Sequence, residues 1–406
     1  MKKNIKFRFS GFALLFSFPL LSFSQEISKN KFGNGIINSV AADSSWSAKL
    51  GVRIQSLYAG EWTMNDTAGI TAGNSEFSLR RARLKIEGFA YHPKFTYKFE
   101  LGFSNREIAV QNTQNKTNQS HLLEAVVRWN FYKNLTLWVG QTKIPVNREQ
   151  IMSTADMSFT DNSLLRKEFS IDRDMGFQLR HHFKLFNNFN VREAFAVSQG
   201  EGRSAPADNL GGYQFTGRLE LLPLGLFQKN GDYVGIDFVR EQKPKISLAA
   251  SFDANNRAVK QKSNIGKYLV TDKGFFETDI YTLTFDVFFK YKGFTCLSEY
   301  AVREAEQAIS KNSDGSKTGI NVNVGKAANT QLGYLFKNNW EIATRFTYLQ
   351  LDKKITGQEI NRQYTLGVSK YLVNTKLKVQ SDISYLDIQN SKDNEIYWRF
   401  MLDIQF

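Results

Sequence analysis

Cysteine is all but missing from this chain of 406 residues: Cys296 stands alone, so no internal disulfide and no multi-cysteine metal framework can form. Proline is also scarce, with six residues, and no proline-rich or Gly/Ser-rich stretch divides the chain into separate units. Only four histidines are present, His92, His121, His181 and His182, and none sits in a recognisable Ser/His or Asp/His constellation. That weighs against a hydrolase, and no cofactor is expected. Residues 312–319 lack the downstream bidentate glutamate of a calcium loop, so no metal site is expected either. Acidic residues are outnumbered, 39 against 53 lysines and arginines, for a net charge of +14. No nucleic-acid-binding motif accompanies that excess, so nucleic acid is not an expected partner. Past the amino-terminal segment no apolar run approaches the about 20 residues of a membrane-crossing helix, and mean hydropathy is −0.39.

What the chain does have is alternation. From Ile396 to Phe406 the residues Ile396, Trp398, Phe400, Leu402, Ile404 and Phe406 fall on one face, and Tyr397, Arg399, Met401, Asp403 and Gln405 on the other. Side chains on a strand alternate between faces, so this pattern places lipid on one side and water on the other. In such a barrel only every second residue meets lipid, which reconciles a polar average with a membrane-spanning wall. The same period recurs in sixteen segments, near residues 46–58, 77–90, 95–103, 121–131, 135–144, 174–185, 189–198, 212–222, 245–253, 277–291, 294–303, 326–336, 340–350, 362–372, 375–387 and 396–406. Their apolar faces are rich in the chain's 34 Phe, 16 Tyr and 6 Trp, as aromatic girdles at two membrane interfaces require. Backbone polar groups in a bilayer must all be paired, and a closed barrel is the β solution.

Short connections, such as Lys292-Gly293, alternate with long polar ones near residues 59–76, 104–120, 145–173, 199–211, 254–276, 304–325, 351–361 and 388–395. That asymmetry assigns the short turns and both termini to the periplasm. One connection breaks it: residues 223–244 are long where a short turn belongs, and Tyr233 to Arg240 has strand character. An ordered periplasmic excursion is the preferred reading. At the amino end, basic residues and an apolar stretch from Gly11 to Phe23 read as a secretory signal peptide. The expected organisation is residues 1–24 signal peptide, 25–45 a periplasmic segment, and 46–406 a transmembrane antiparallel β-barrel of about sixteen strands. Residues 25–45 are too few for the plug of an energised transporter.

If apolar faces meet lipid, the opposite faces line water. They carry Arg53, Arg81, Arg83, Lys85, Lys98, Arg128, Arg180, Lys184, Arg218, Arg345, Lys376 and Lys378 against Glu87, Glu100, Glu124, Glu220, Asp286 and Asp382. A wet pore of positive bias favours anions. Selectivity needs a constriction, because charges are screened over about 8 Å at physiological salt. The longest loop, 145–173, is expected to fold inward, with Lys143, Arg148, Arg166, Lys167 and Arg173 beside it. The candidate pore-lining, anion-binding set is Arg81, Arg83, Lys85, Lys98, Arg128, Lys143, Arg148, Arg180, Arg218 and Arg345. The same charges also suit simple ion pairs or lipopolysaccharide phosphates at the rim.

The stretch Ser78-Leu79-Arg80-Arg81-Ala82-Arg83-Leu84-Lys85-Ile86-Glu87-Gly88 resembles the second-strand motif of the phosphate-selective porin O and P family. Gly140-Gln141-Thr142-Lys143-Ile144-Pro145-Val146-Asn147-Arg148-Glu149-Gln150 is similar to that family's fifth strand and loop start, and Ser163-Leu164 with Arg173-Asp174-Met175-Gly176-Phe177-Gln178-Leu179 to its return into strand six. Gly231-Asp232-Tyr233 and Lys243-Pro244-Lys245 extend the resemblance. It implies a sixteen-stranded, trimeric outer-membrane porin in which arginines and an eyelet lysine conduct anions, phosphate among them. Lys143, Arg81 and Arg83 are the positions it carries over. A general porin, or one for carbohydrates or organic acids, and a barrel hydrolase are the alternatives the residues leave open.

Overall fold

A computed structural model describes residues 32–406 apart from 66–68, 114–115, 204 and 206–208. The expected signal peptide lies outside the described residues. Sixteen antiparallel strands make the wall: β1 (Trp46–Asn65), β2 (Gly69–Ala90), β3 (His92–Gly102), β4 (Leu122–Tyr132), β5 (Leu135–Thr142), β6 (Asp174–Phe186), β7 (Phe189–Ser198), β8 (Gln214–Leu222), β9 (Lys245–Ala258), β10 (Thr278–Tyr291), β11 (Phe294–Ala305), β12 (Gly325–Leu335), β13 (Trp340–Leu351), β14 (Asn361–Val373), β15 (Leu377–Ile388) and β16 (Asp393–Gln405). Each pairs with its neighbours in sequence, and β16 closes on β1 from Arg53 opposite Gln405 to Asn65 opposite Asp393. Where β16 ends, the short strand Ile37–Val40 takes over the edge of β1 at Ser47 to Leu50. No strand edge is left open there, which removes the usual site of edge-to-edge aggregation.

Alternation decides which way each strand faces. On β10, Leu283, Phe285 and Val287 are exposed on the outer surface, while Thr282, Thr284 and Asp286 are buried inside. β16 repeats this, with Trp398, Phe400 and Leu402 outside and Arg399, Met401 and Asp403 inside. A water-soluble protein would show the reverse; apolar outside and polar inside is the arrangement that a bilayer stabilises. The six short turns each hold a non-glycine residue in the left-handed region, Tyr91, Lys133, Asn187, Lys292, Asn339 and Asn374. That conformation matches hairpin twist and is easiest for asparagine, which supplies three of the six.

Two segments fill the side of the lumen next to β8 to β14. The loop between β5 and β6 folds inward as expected, carrying the short helices α1 (Arg148–Ile151) and α2 (Leu164–Phe169). Ser163 caps α2 by accepting from the Arg166 amide at 3.0 Å. Leu165 and Phe169 of α2 pack on Ala301, Ala327, Leu349 and Leu351 of the far wall, where small inward residues make room for the helix. Residues 223–244 contain no strand, so the count stays at sixteen, yet they are not an excursion into the periplasm. They turn back into the barrel. Phe227 stacks on the inward Phe288 at 5.9 Å, Phe238 meets Tyr371 edge-on at 5.0 Å, and Ile236 is buried with Leu335 and Tyr371. The Gly235 amide donates to the Asp156 carbonyl at 2.6 Å, joining this segment to the inward loop. The physical reason is that Phe227, Val234, Ile236 and Phe238 have apolar area to bury, and the inner wall from β8 to β14 offers apolar partners. The space left open runs along β1 to β6.

Candidate functional site

Two adjoining cavities occupy the open side. The first, of about 550 Å³, is bounded by the inner faces of β1 to β6, the inward loop and the end of β16; the second, of about 670 Å³, continues along β4 to β8 toward the periplasmic side. Arg128, Trp138, Ile151, Arg180 and Tyr233 border both. Among the described residues, eleven basic side chains line the first cavity against four acidic ones, Glu87, Glu100, Glu124 and Asp156.

Register explains how so many cations reach one surface. Gln55 of β1 pairs with Arg81 and Ser56 with Leu79, so Arg80 is an extra residue in β2. This β-bulge breaks strict alternation, and both Arg80 and Arg81 find partners inside: Arg80 bonds Asp161 of the inward loop, and Arg81 bonds Gln55. Gly140 marks a second special position. A Cβ there would stand 2.1 Å from the Ala125 carbonyl, so only glycine lets β5 approach β4 this closely.

Toward the external side, the cations are paired in an unbroken chain. Arg83 meets Glu107 and, at 2.7 Å, Glu100; Lys98 bridges Glu100 at 2.7 Å and Glu124 at 3.0 Å. Arg173 continues from Glu124 at 3.1 Å to Asp172 at 3.3 Å, and Arg203 reaches Asp172 at 3.6 Å. Although burial pushes the Asp172 carboxyl upward, the guanidiniums of Arg173 and Arg203 prevail and hold it well below the usual carboxylate range. Arg53 makes a two-pronged pair with Asp403, at 3.0 and 2.7 Å. Lys85 pairs with Glu87 at 2.9 Å.

Other cations of the open side have no such partners. Among the described residues, no carboxylate lies within 4.0 Å of Arg81, Arg128, Lys143 or Arg180. Arg128 and Arg180 each stack 4.0 Å from the centroid of Trp138. Lys143 donates to the Gln150 and Met152 carbonyls at 2.9 and 2.5 Å, so the ammonium ties the end of α1 to the wall beside the cavity.

The ten sequence candidates therefore separate. Arg83, Lys85, Lys98, Arg128, Lys143 and Arg180 border the first cavity. Arg81 is buried behind it against Gln55. Arg218 touches the second cavity but is held by Asp286 at 2.7 Å. Arg148 and Arg345 line neither, which corrects the expectation for them. Arg148 is fully buried beneath the inserted segments, with Glu220 at 3.0 Å, Asp286 at 3.3 Å and Ser247 at 2.6 Å. It anchors the loop to β8, β9 and β10. Arg345 stacks on Phe159 at 4.6 Å and donates to the Asp161 carbonyl at 2.8 Å, fastening the other end of the loop. Missed in the sequence were Trp138, Tyr233, Arg80 and the carboxylate Glu107 of the paired chain. Trp138 had a signal: it falls on the polar face of β5, where an aromatic side chain has no lipid to meet.

The family model described as phosphate-selective porin O and P matches residues 50–224. Among curated proteins no sequence matches. Solved structures do. The outer-membrane channel DcaP of Acinetobacter baumannii has a TM-score of 0.53 at 10% identity, covering 90% of this chain and 99% of its own. OmpF of Salmonella typhi, solved with daunomycin, has a TM-score of 0.52 at 10% identity, covering 90% and 99%. The trimer form of Vibrio cholerae OmpT has a TM-score of 0.50 at 10% identity, covering 89% and 100%. At such identities the likeness shows the fold, a closed sixteen-strand porin barrel. With the family match it supports an outer-membrane channel rather than an enzyme.

Proposed function

We propose that this outer-membrane channel conducts small anions in preference to cations, phosphate among them, along the β1 to β6 wall. The observation that carries the reading is the lining of the first cavity, eleven basic side chains against four acidic among the described residues. A low-dielectric wall focuses that imbalance into the water-filled space and raises local anion concentration. Lys143, Arg128 and Arg180 are the cations we assign to the anion path. The inner charges act within about one Debye length because the inserted segments narrow the lumen. The description of the matched family, phosphate-selective, agrees with this choice of solute.

We further propose that residues 1–24 leave as a signal peptide and that the barrel works as a homotrimer, as the name of one structural neighbour records for that protein. The test of function is the reversal potential of the purified protein in planar bilayers under a potassium chloride gradient. It should show anion preference, and added phosphate should reduce the chloride current. Cation preference, or no conductance, would overturn the reading.

A further inference from the structure

One pair of pore cations differs from all the others. Arg128 on β4 and Arg180 on β6 flank Trp138 on the intervening β5, so the two guanidiniums lie on opposite faces of one indole, each 4.0 Å from its centroid. Stacking fixes the plane of both forks without consuming their N–H donors. Arg128 has no hydrogen-bond acceptor among the described residues; its Nε is sealed from solvent, so its two terminal nitrogens are the donors open to the lumen. Arg180 reaches only the Gln178 side-chain oxygen, at 3.1 and 2.8 Å. These are oriented donors whose missing partners must come from the lumen, and both residues border both cavities, so every solute moving between them passes this pair.

The indole between them sets the ligand. A compact anion such as chloride or phosphate can satisfy one guanidinium, but Trp138 keeps the two from converging on a single oxyanion. A solute with two anionic groups a few carbons apart can offer one to each, and a carboxylate suits each planar fork through two parallel hydrogen bonds. We propose that Arg128, Trp138 and Arg180 form a binding subsite for short-chain dicarboxylates of the succinate and glutarate class. The proposal deepens the anion-channel reading and rests on it for its place on a transport path.

The test pairs conduction with equilibrium binding on the full barrel. Succinate and acetate are titrated against chloride current in planar bilayers, and in parallel against the detergent-purified protein by calorimetry. Two charge-assisted contacts in place of one should make succinate bind about tenfold tighter than acetate. Arg128→Gln should weaken both anions but succinate far more, so that the tenfold advantage over acetate disappears. Arg128→Lys keeps the charge and the fold while losing the planar fork, and should give back only part of the preference. Succinate binding no tighter than acetate, or an unchanged preference in Arg128→Gln, overturns the subsite even where the reversal potential shows anion selectivity. A barrel that is cation-selective yet binds succinate tenfold over acetate by calorimetry supports the subsite and sinks the conduction reading instead.

Discussion

The chain of alternating charge from Glu107 through Arg83, Glu100, Lys98, Glu124, Arg173 and Asp172 to Arg203 and the stack of Arg128, Trp138 and Arg180 lie on the same inner wall, and both look basic when only arginines and lysines are counted. Their fields differ. In the first, four cations meet four carboxylates in unbroken alternation, so the chain presents little net charge to a passing ion and stiffens the wall. In the second, two cations lean on an uncharged ring and keep their charge for the lumen. A basic residue shapes selectivity according to what it is paired with, more than by facing the pore. The largest expected effect therefore belongs to the stack: Arg128→Glu with Arg180→Glu should lower the anion-to-cation permeability ratio about tenfold, since four unit charges change close to the path. Reversal potentials measure this directly. A drop no larger than that from reversing Lys85, which is already paired and half-exposed, would erase the distinction between the two regions.

The two sides of the lumen make a second contrast. One is filled by α2 and residues 223–244 packed on β8 to β14; the other is open along β1 to β6. Sixteen strands by themselves enclose a wide aqueous lumen, so the inserted segments are what confine ions to the charged wall. Replacing residues 223–244 by a three-residue hairpin turn should roughly double single-channel conductance and weaken anion preference, because ions gain a route beyond the reach of the stack. Unchanged conductance would mean that the filled side contributes nothing to confinement. The effect should be smaller on selectivity than the double reversal, since the charges themselves remain.

Sequence pattern was enough to place all sixteen strands because a membrane wall enforces one rule at every position, apolar outward and polar inward. The short strand Ile37–Val40 escaped because it is an edge patch rather than a spanning segment. Residues 223–244 were read to the correct strand count and the wrong side of the wall. Their apolar residues need burial, but nothing local tells Phe227 that an inward Phe288 lies across the barrel. The site was legible only as a list of cations. Arg148 and Lys143 sit five residues apart in one motif, yet one is an anchor with three carboxylates around it and the other borders the cavity. What separates them is partners distant in sequence, such as Asp286 for Arg148. The bulge at Arg80 was invisible for a related reason, since alternation sends that residue outward and only the register against Gln55 and Ser56 turns it in.

The smallest effect probes the paired chain itself. Glu100 is buried and accepts from both Arg83 and Lys98 at 2.7 Å, so it neutralises two cations at once. Glu100→Gln keeps an acceptor oxygen of the same shape while removing one negative charge. Arg83 retains Glu107 and Lys98 retains Glu124 at 3.0 Å, so the net gain toward the lumen is one unit of positive charge shared over four groups. Anion preference should therefore rise, by less than twofold, and thermal stability should fall, because removing one partner of a buried ion network costs about 3 to 5 kcal/mol when the remaining charges go uncompensated. Here the remaining carboxylates compensate in part, so the loss belongs at the low end of that range. The two readouts are coupled in sign only if the chain is neutral by pairing: a fall in anion preference on removing a negative charge would show that the chain presents its carboxylates, not its guanidiniums, to the ions that pass.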